Sequence, residues 1–535
     1  MSRLTVTGVT VISLFILFHD GYCANILFVT LFPSISHQKV FQPIWKELSL
    51  RGHNVHVIAT NPLRDPSLAN LTEYDISSHY ELLKRMANNT NTRDLLLTKP
   101  SFFTTFLKDI ILTEKFSKLS EITLSHPEVQ RLLKTNIQFD VVLVEWLFPT
   151  MAGFGAKYNC PMIGVTSLGA PLVALDTVGN PSHPIIAPDH NLPVTRDMTF
   201  KERVLSTLYA VYVRFWYHMV VLPREDKLVK KYLGEELPYI GDIERNVSLL
   251  LLNRSPIFHR AMPVVPAVIE LGTTLVNRER PEMEANLKAF LDESKQGVIY
   301  FSLGSNMKSI YLPDQLREII LAVFGRLPYN VVMKWENDTL LGKPDNVLIS
   351  KWFPQLSLLE HPNVRLFIMQ GGLQSSEEAI VAQVPIIGLP TSSDQLTNVD
   401  SFVKYGAGIA LDFDYLTAES FDATIRKIMT TPSYHENVKE LSKLISDQPI
   451  DGLQRAVWWV EYVIKHKGAN HLRSTILNTP WWQYFLLDII ALFITVLSLI
   501  LLICYVILKV MFILLKNVEK LFLPRSEEPE HKKRQ

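Results

Sequence analysis

The sequence predicts an α/β protein made of two doubly wound, Rossmann-like parallel-sheet domains and one C-terminal transmembrane helix. Three observations predict it. Short apolar runs of β-forming residues alternate with helical stretches in two separate series, the pattern of parallel strands joined by helical crossovers. Pro256, Pro263, Pro266 and Pro281, with Arg278, Glu279 and Arg280, mark a break between the two series. Near the end, Ile489 to Leu508 carries no charge and is long enough to cross about 30 Å of hydrocarbon. A length of 535 residues agrees, being too great for one ordinary core.

At the amino end, Arg3 precedes an apolar run from Val9 to Phe18, and Gly21 and Cys23 follow with the spacing of a signal-peptidase site, so residues 1–23 read as a cleaved signal. The first domain is expected over residues 24–262, with strands at Asn25 to Thr30, Val55 to Ala59, Asp140 to Val144 and Met162 to Val165. Leu95 to Leu133 is helical and unusually apolar, with Phe102, Phe103, Phe106, Ile110 and Ile111; ordinary core is preferred over a surface that touches a membrane or receives hydrophobic molecules. Residues 263–285 read as a linker. The second domain, residues 286–446, is expected to place strands at Val298 to Leu303, Asn330 to Lys334, Val347 to Ser350, Leu366 to Met369 and Pro385 to Leu389.

The span is set at residues 486–508. Trp481, Trp482 and Tyr484 suit one interface, and Lys509, Lys516, Lys520 and Arg525 the other, which makes residues 509–535 a cytoplasmic basic tail and the bulk lumenal or extracellular, a single-pass type I arrangement. The terminal Lys532-Lys533-Arg534-Gln535 resembles a dilysine signal for retrieval to the endoplasmic reticulum. With Cys23 removed in the signal and Cys504 in the span, Cys160 is the single lumenal thiol and no internal disulfide is expected. Sequons at Asn70, Asn88, Asn246 and Asn337 suit a secretory route, whereas one at Asn253 is weakened by Pro256. Formal net charge is zero, which argues against nucleic acid as a partner.

The chemistry concentrates in VRLFIMQGGLQSSEEAIVAQVPIIGLPTSSDQ, which reads as strand, glycine turn, helix, strand and turn. Adjacent Gly371 and Gly372 exclude the G-x-G-x-x-G dinucleotide fingerprint, and no Gly-Lys-Ser/Thr follows to make a P-loop. In open parallel sheets ligands bind beyond the carboxyl ends of strands. Gln370, Gly371 and Gly372 fall there, at a helix start whose free amides and dipole favour phosphate. Glu378 on that helix could accept hydrogen bonds from ribose hydroxyls, and Asp394 and Gln395 past the next strand could address adjacent hydroxyls of a sugar. Singly, Glu378 as a solvated helix residue and Asp394 as a cap are simpler; the combined spacing is hard to obtain by chance.

Trp352-Phe353-Pro354-Gln355, Gln370-Gly371-Gly372, Ser375, Glu378, Pro385, Pro390 and Asp394-Gln395 resemble the signature of the UDP-glycosyltransferase family, which includes the membrane-bound UDP-glucuronosyltransferases. The likeness extends to Ser36-His37, Gly179-Asn180-Pro181-Ser182, Phe301-Ser302-Leu303-Gly304-Ser305 and the carboxy-terminal span. Gln370, where many vertebrate members have histidine, and the run QGGLQSSEEAI are most similar to insect members.

The resemblance implies the GT-B fold, two Rossmann-like domains facing a cleft, with acceptor held mainly by the first and UDP-sugar by the second. It implies that Trp352 stacks uracil, Gln355 lies near the nucleoside and Glu378 holds ribose. Ser305, Gln370, Gln374 and Ser375, with the turn of Gly371 and Gly372, would serve the diphosphate, and Asp394 and Gln395 the sugar. A helix from Leu453 to Lys465, within residues 447–480, would cross back to the first domain. His37 would be the general base, a role that suits histidine because its ordinary pKa lies near working pH. Glu145 in FDVVLVEW takes the place of the family's orienting aspartate. Met369 and Thr391-Ser392-Ser393 also depart from the pattern, without removing a residue the mechanism requires.

Asp412-Phe413-Asp414 has the Asp-x-Asp form of metal-dependent glycosyltransferases but follows a terminal strand, so it reads as a turn, and His53 and His56 would face opposite sides of a strand. No metal and no other cofactor is expected. The expected function is inverting transfer of a hexose, glucose ahead of glucuronic acid, from a UDP-sugar such as UDP-glucose to hydroxyls of small lipophilic acceptors, by a membrane-held protein that could self-associate. The alternative is a membrane-anchored protein that binds UDP-sugar with little turnover.

Overall fold

The computed structural model describes residues 23–82, 101–195, 197–272, 280–305, 307–391 and 393–522. The expected signal, the Asn88 sequon, part of the linker and the terminal lysines lie outside them. The chain forms two units that divide after Ser474.

The first unit holds two wholly parallel sheets. In sequence order the first contains β1 (Asn25–Val29), β2 (Asn54–Ala59), β3 (Leu71–Asp75), β4 (Val141–Glu145), β5 (Met162–Thr166), β6 (Leu249–Leu252) and β7 (Val268–Glu270), arranged β3-β2-β1-β4-β5-β6-β7. The second contains β8 (Val298–Ser302), β9 (Asn330–Lys334), β10 (Val347–Ser350), β11 (Val364–Met369), β12 (Ile386–Gly388) and β13 (Gly408–Ala410), arranged β10-β9-β8-β11-β12-β13. In each sheet the chain starts in the middle, winds outward one way, then returns and winds the other. The strand order therefore reverses between β1 and β4 and between β8 and β11, and a crevice opens at each reversal.

Both faces of these strands are apolar because helices cover both. Val298 and Tyr300 are buried in one layer of the second domain, and Ile299 and Phe301, their alternating neighbours, in the other. Three strands escape the sequence reading, as do the bounds of a fourth, the terminal strand before Asp412. β3 (LTEYD), β7 (VIE) and β13 (GIA) stand at or next to sheet edges, where half-solvated strands need no continuous apolar run. β6 is four leucines, a run that periodicity cannot assign to strand or helix.

The domain boundary is corrected from both sides. Phe258, placed by the sequence in the first domain, is fully buried in the second domain's core, 5.3 Å from the Phe402 ring. Val268–Glu270, placed in the linker, is the edge strand of the first sheet. The chain thus touches the second core before it finishes the first, because each bulky apolar stretch goes to the nearest unfilled core rather than to a linker.

Seven helices matter below: α1 (Ile35–Leu50), α2 (Phe102–Ser125), α3 (Phe200–Trp216), α4 (Leu373–Val381), α5 (Ser393–Lys404), α6 (Gly452–His466) and α7 (Leu487–Phe522). α6 buries Ala456, Val457, Val460, Val463 and Ile464 in the first domain's core, and its Glu461 accepts from Arg51 at 3.1 Å. The apolar stretch around α2 is only half core. Phe102 and Phe106 pack with Tyr209 and Tyr212, but Phe103, Leu107 and Ile110 are exposed, as are Phe200, Val204, Leu208, Val211 and Phe215 along one stripe of α3. This corrects the preference for ordinary core.

In the second unit, α7 has 36 residues and none of them is buried. By length and composition it can cross a membrane. At 1.5 Å per residue it is about 54 Å long, well beyond hydrocarbon thickness. The helix runs past the expected end at 508 because Lys509 interrupts the apolar stretch without interrupting the helical hydrogen bonds.

Candidate active site

β1 ends at Val29, a short loop follows, and α1 begins at Ile35, so His37 occupies the first turn of the helix beside the first sheet's reversal point. Glu145 is the last residue of β4, across that same point. Its Oε2 accepts from Thr30 Oγ1 at 3.1 Å and from the backbone N–H groups of Leu31 and Phe32 at 3.2 Å. Its Oε1 stands 3.5 Å from His37 Nδ1, and that oxygen has no hydrogen-bond partner among the described residues.

The added methylene therefore lets the carboxylate brace the β1–α1 loop while it faces the imidazole. The nearest partner of His37 Nδ1 is not Glu145 but Ser167 Oγ, at 2.6 Å. Ser167 was missed by sequence reasoning, although it follows β5 directly and so stands beyond the carboxyl end of the strand next to β4. The Phe32 ring, 4.8 Å from the imidazole, closes one side and leaves His37 almost entirely buried.

A cavity of about 610 Å³ lies between the two domains; Ser36 and Lys39 of α1 line it on one side, and Ser305, Trp352, Gln355 and Glu378 on the other. Trp352 leaves half its surface open. Gln355 is fixed in place: its Oε1 accepts from Tyr300 at 3.0 Å, and its Nε2 donates to Ser375 Oγ at 3.0 Å and Glu378 Oε2 at 2.5 Å. Burial raises the Glu378 carboxyl above the usual carboxylate range, opposed by the Gln355 hydrogen bond. Tyr300 is a further residue that sequence reasoning missed, hidden inside a strand that reads as core.

Gly371 takes φ +93°, a conformation open to glycine, and Gly372 precedes the first turn of α4. Gln370 is buried, and its Nε2 lies 2.7 Å from where a Cβ on Gly304 would stand, so the turns after β8 and β11 meet closely. Gln374 lines the same cavity as Ser305 and Ser375, and its Nε2 donates to the Ser167 carbonyl at 2.8 Å, reaching into the first domain. Ser167 thus joins His37, through its hydroxyl, to the helix after β11, through its carbonyl.

Asp394 and Gln395 open α5. Gln395 Oε1 accepts from Thr391 N at 2.9 Å. Asp394 lines a second cavity of about 120 Å³ with His190 and the apolar Leu168, Leu172, Ile186, Leu192 and Met262. Burial raises the Asp394 carboxyl, and the nearby His190 and His37 draw it back. The charges of His37 and Asp394 thus act on each other across the cleft. Asp412 accepts from the Asp414 N–H at 3.0 Å as the cap of a short turn, as read from the sequence. No cluster of three or more His, Cys, Asp or Glu able to hold a metal ion occurs among the described residues.

Beside Glu378, Glu377 is fully buried, and its Oε2 accepts from Asn253 Nδ2 at 3.3 Å; Asn253 is itself fully buried, which closes that sequon to a glycan. Burial pushes the Glu377 carboxyl up to about 8. A folded-state value above the unfolded one means that the folded state is favoured at low pH. The contribution is complete below about 4.5 and is lost as pH rises through about 8. Glu377→Gln keeps the shape and the acceptor without the titration. It is expected to raise the melting temperature at pH 8.5 and not at pH 5, with a difference on the order of 3 kcal/mol, read from melting curves across pH.

Comparison with known proteins agrees with this geometry. The family model described as "UDP-glucoronosyl and UDP-glucosyl transferase" matches residues 26–521. UDP-glucosyltransferase 2 of Dactylopius coccus is 35% identical over 472 residues, covering 86% of this chain and 88% of that protein. UDP-glucuronosyltransferase 2B7 of Homo sapiens is 28% identical over 506 residues, covering 90% and 92%. Among solved structures, the kitacinnamycin glycosyltransferase superposes with a TM-score of 0.56 at 18% identity, covering 84% of this chain and all of that one, a likeness of GT-B fold. The chain is a glycosyltransferase and belongs to the UDP-glycosyltransferase family.

Proposed function

We propose that this chain is an inverting transferase that moves glucose, in preference to glucuronic acid, from its UDP-sugar to hydroxyls of small lipophilic acceptors, with His37 as general base. The observation that carries the proposal is the facing of two strand-reversal points across one cleft: His37, Glu145 and Ser167 stand at one, and the Trp352, Gln355, Glu378 and Gly371 side of the cavity at the other.

In the reaction the acceptor hydroxyl gives its proton to His37 Nε2 as its oxygen bonds to the anomeric carbon. The bond from that carbon to the β-phosphate oxygen breaks, and its electron pair leaves with UDP. Nε2 is free to accept when the proton of the neutral ring sits on Nδ1, where the Ser167 and Glu145 oxygens support it. Uracil would stack on Trp352, ribose would take the Glu378 carboxylate, and the sugar would lie at Asp394 and Gln395, with no metal ion required. The apolar cavity beside Asp394 suits a lipophilic acceptor.

The name of the UDP-glucosyltransferase relative from Dactylopius coccus, at higher identity than the human glucuronosyltransferase, supports glucose. α7 supports membrane attachment; a lumenal catalytic unit in the endoplasmic reticulum, where conjugation of phenols, steroids or pigments would serve detoxification, is part of this reading. The test is product formation by membranes carrying the full chain, given UDP-glucose or UDP-glucuronic acid with a panel of phenols, flavonoids and steroids. Glucoside is expected to form at least about tenfold faster than glucuronide, a margin of about 1.4 kcal/mol; equal or reversed rates overturn the donor assignment.

A further inference from the structure

The diphosphate of a UDP-sugar brings negative charge into a cleft lined by both carboxylic and cationic side chains. Among the described residues lining the large cavity, four are carboxylic, Glu282, Glu284, Glu377 and Glu378, and three are cationic, Lys39, Lys334 and Lys351. Two of the cations are already engaged. Lys334 Nζ donates to Glu336 at 2.7 Å and to the Gly304 carbonyl at 3.0 Å, and Lys351 pairs with Asp338 at 2.8 Å. Lys39 differs: it is exposed and forms no ion pair among the described residues. Its ammonium stands 5.2 Å from the centre of the Trp352 ring, on the opposite wall. Its charge also draws the Glu378 carboxyl down against the effect of burial, so it is felt at the centre of the donor side.

We infer that Lys39, delivered from the first domain, is the cation that binds the diphosphate of the donor and stabilises UDP as it leaves. This rests on the donor site read above. Lys39 follows His37 by two residues in α1, so its backbone is tied to the element that carries the base. The base acts on the acceptor hydroxyl, whose oxygen bonds to the anomeric carbon on the face opposite the leaving oxygen, so the ammonium must reach along the cleft to meet the diphosphate. A flexible four-carbon stem lets the ammonium move along the cleft without moving the helix.

The ammonium rests on the electron-rich Trp352 face. When uracil takes that face, the same ammonium is displaced toward the diphosphate, which attracts it more strongly. Its charge then meets the negative charge that grows on the β-phosphate as the bond to the sugar breaks. The exchange also explains why an unpaired cation sits on the wall opposite the donor site: it is part of that site, contributed across the domain interface.

The experiment is calorimetric binding of UDP and of uridine to the full chain in detergent, with Lys39→Met, Lys39→Arg and Trp352→Ala. A lost charge-assisted contact predicts that Lys39→Met weakens UDP about 10- to 100-fold while uridine binds as well as before or better. Lys39→Arg is expected to restore most of the UDP affinity, and the salt dependence of UDP binding to be steeper in wild type than in Lys39→Met. Equal UDP affinity in wild type and Lys39→Met, or equal weakening of UDP and uridine, overturns the inference and leaves the donor site standing. A wild-type chain that binds UDP with no loss in Trp352→Ala overturns the donor-site reading itself, and this inference with it.

Discussion

His37→Ala is expected to lower kcat for glycoside formation by about 10²- to 10⁴-fold, the usual contribution of a positioned general base, with UDP affinity within about threefold of wild type. The separation follows from where the residue sits. His37 is on the first sheet's side of the cleft and makes its hydrogen bond to Ser167, while the Trp352, Gln355 and Glu378 cluster is built from second-domain residues. Removing the imidazole leaves the brace intact, because Glu145 Oε2 takes its three hydrogen bonds from Thr30, Leu31 and Phe32 rather than from His37. Steady-state kinetics with the preferred donor, beside UDP binding by calorimetry, separates the two effects. A loss of UDP binding matching the loss of rate would mean that His37 serves the fold of the cleft rather than the proton.

Gly371→Ala is expected to destabilise the second domain by about 3 kcal/mol or more and to abolish measurable UDP binding. Two costs add. A backbone at φ +93° is strained for any side chain, and the new Cβ would stand 2.5 Å from Val399 Cγ2 and 3.0 Å from the Gln395 carbonyl oxygen. Val399 cannot yield toward Gly388, where a Cβ would already meet it at 2.4 Å, so α5 rests on two glycines at once. Asn398 Nδ2 also donates to the Gly371 carbonyl at 2.9 Å, so moving the turn moves the helix that opens with Asp394 and Gln395.

Gly372→Ala is the control. Its φ is −58°, and the one atom near a new Cβ is Gln370 Nε2 at 3.7 Å, so folding is expected to survive with a stability change under about 1 kcal/mol. Melting temperature and UDP affinity of the two variants measure the contrast.

That contrast shows what the sequence can and cannot carry. Adjacent glycines announce a tight turn beyond a strand, but only the geometry says which of them holds a helix in place and which merely precedes one. The central strands were legible because buried parallel strands are continuous β-branched and leucine runs between turn signals, and Asn330–Lys334 falls where the sequence puts it, as does one edge strand, Val347–Ser350, whose run VLIS is apolar to its last residue. The edge strands β3 and β7 were not, since their runs LTEYD and VIE mix polar and apolar residues.

The same division holds in the site. His37, Glu145, Trp352, Gln355, Glu378 and Asp394 stand out as residue types placed after strands. Ser167, Tyr300, Lys39 and His190 do not, because each matters through a contact made across the sheet or the cleft. The added methylene of Glu145 was legible, but its consequence was not: one carboxylate oxygen braces a loop, and a serine from a third strand becomes the partner of the imidazole.

The central claim is a single displacement in which His37 removes the acceptor proton while UDP leaves from the opposite face of the sugar. The most direct measurement is proton NMR of the glycoside formed by the full chain from UDP-glucose, whose sugar is α-linked. The anomeric proton of the first product to appear is predicted to show the large coupling of a β-glucoside. An α-glucoside would contradict the account, because retention requires either a second displacement or attack on the face that UDP is leaving.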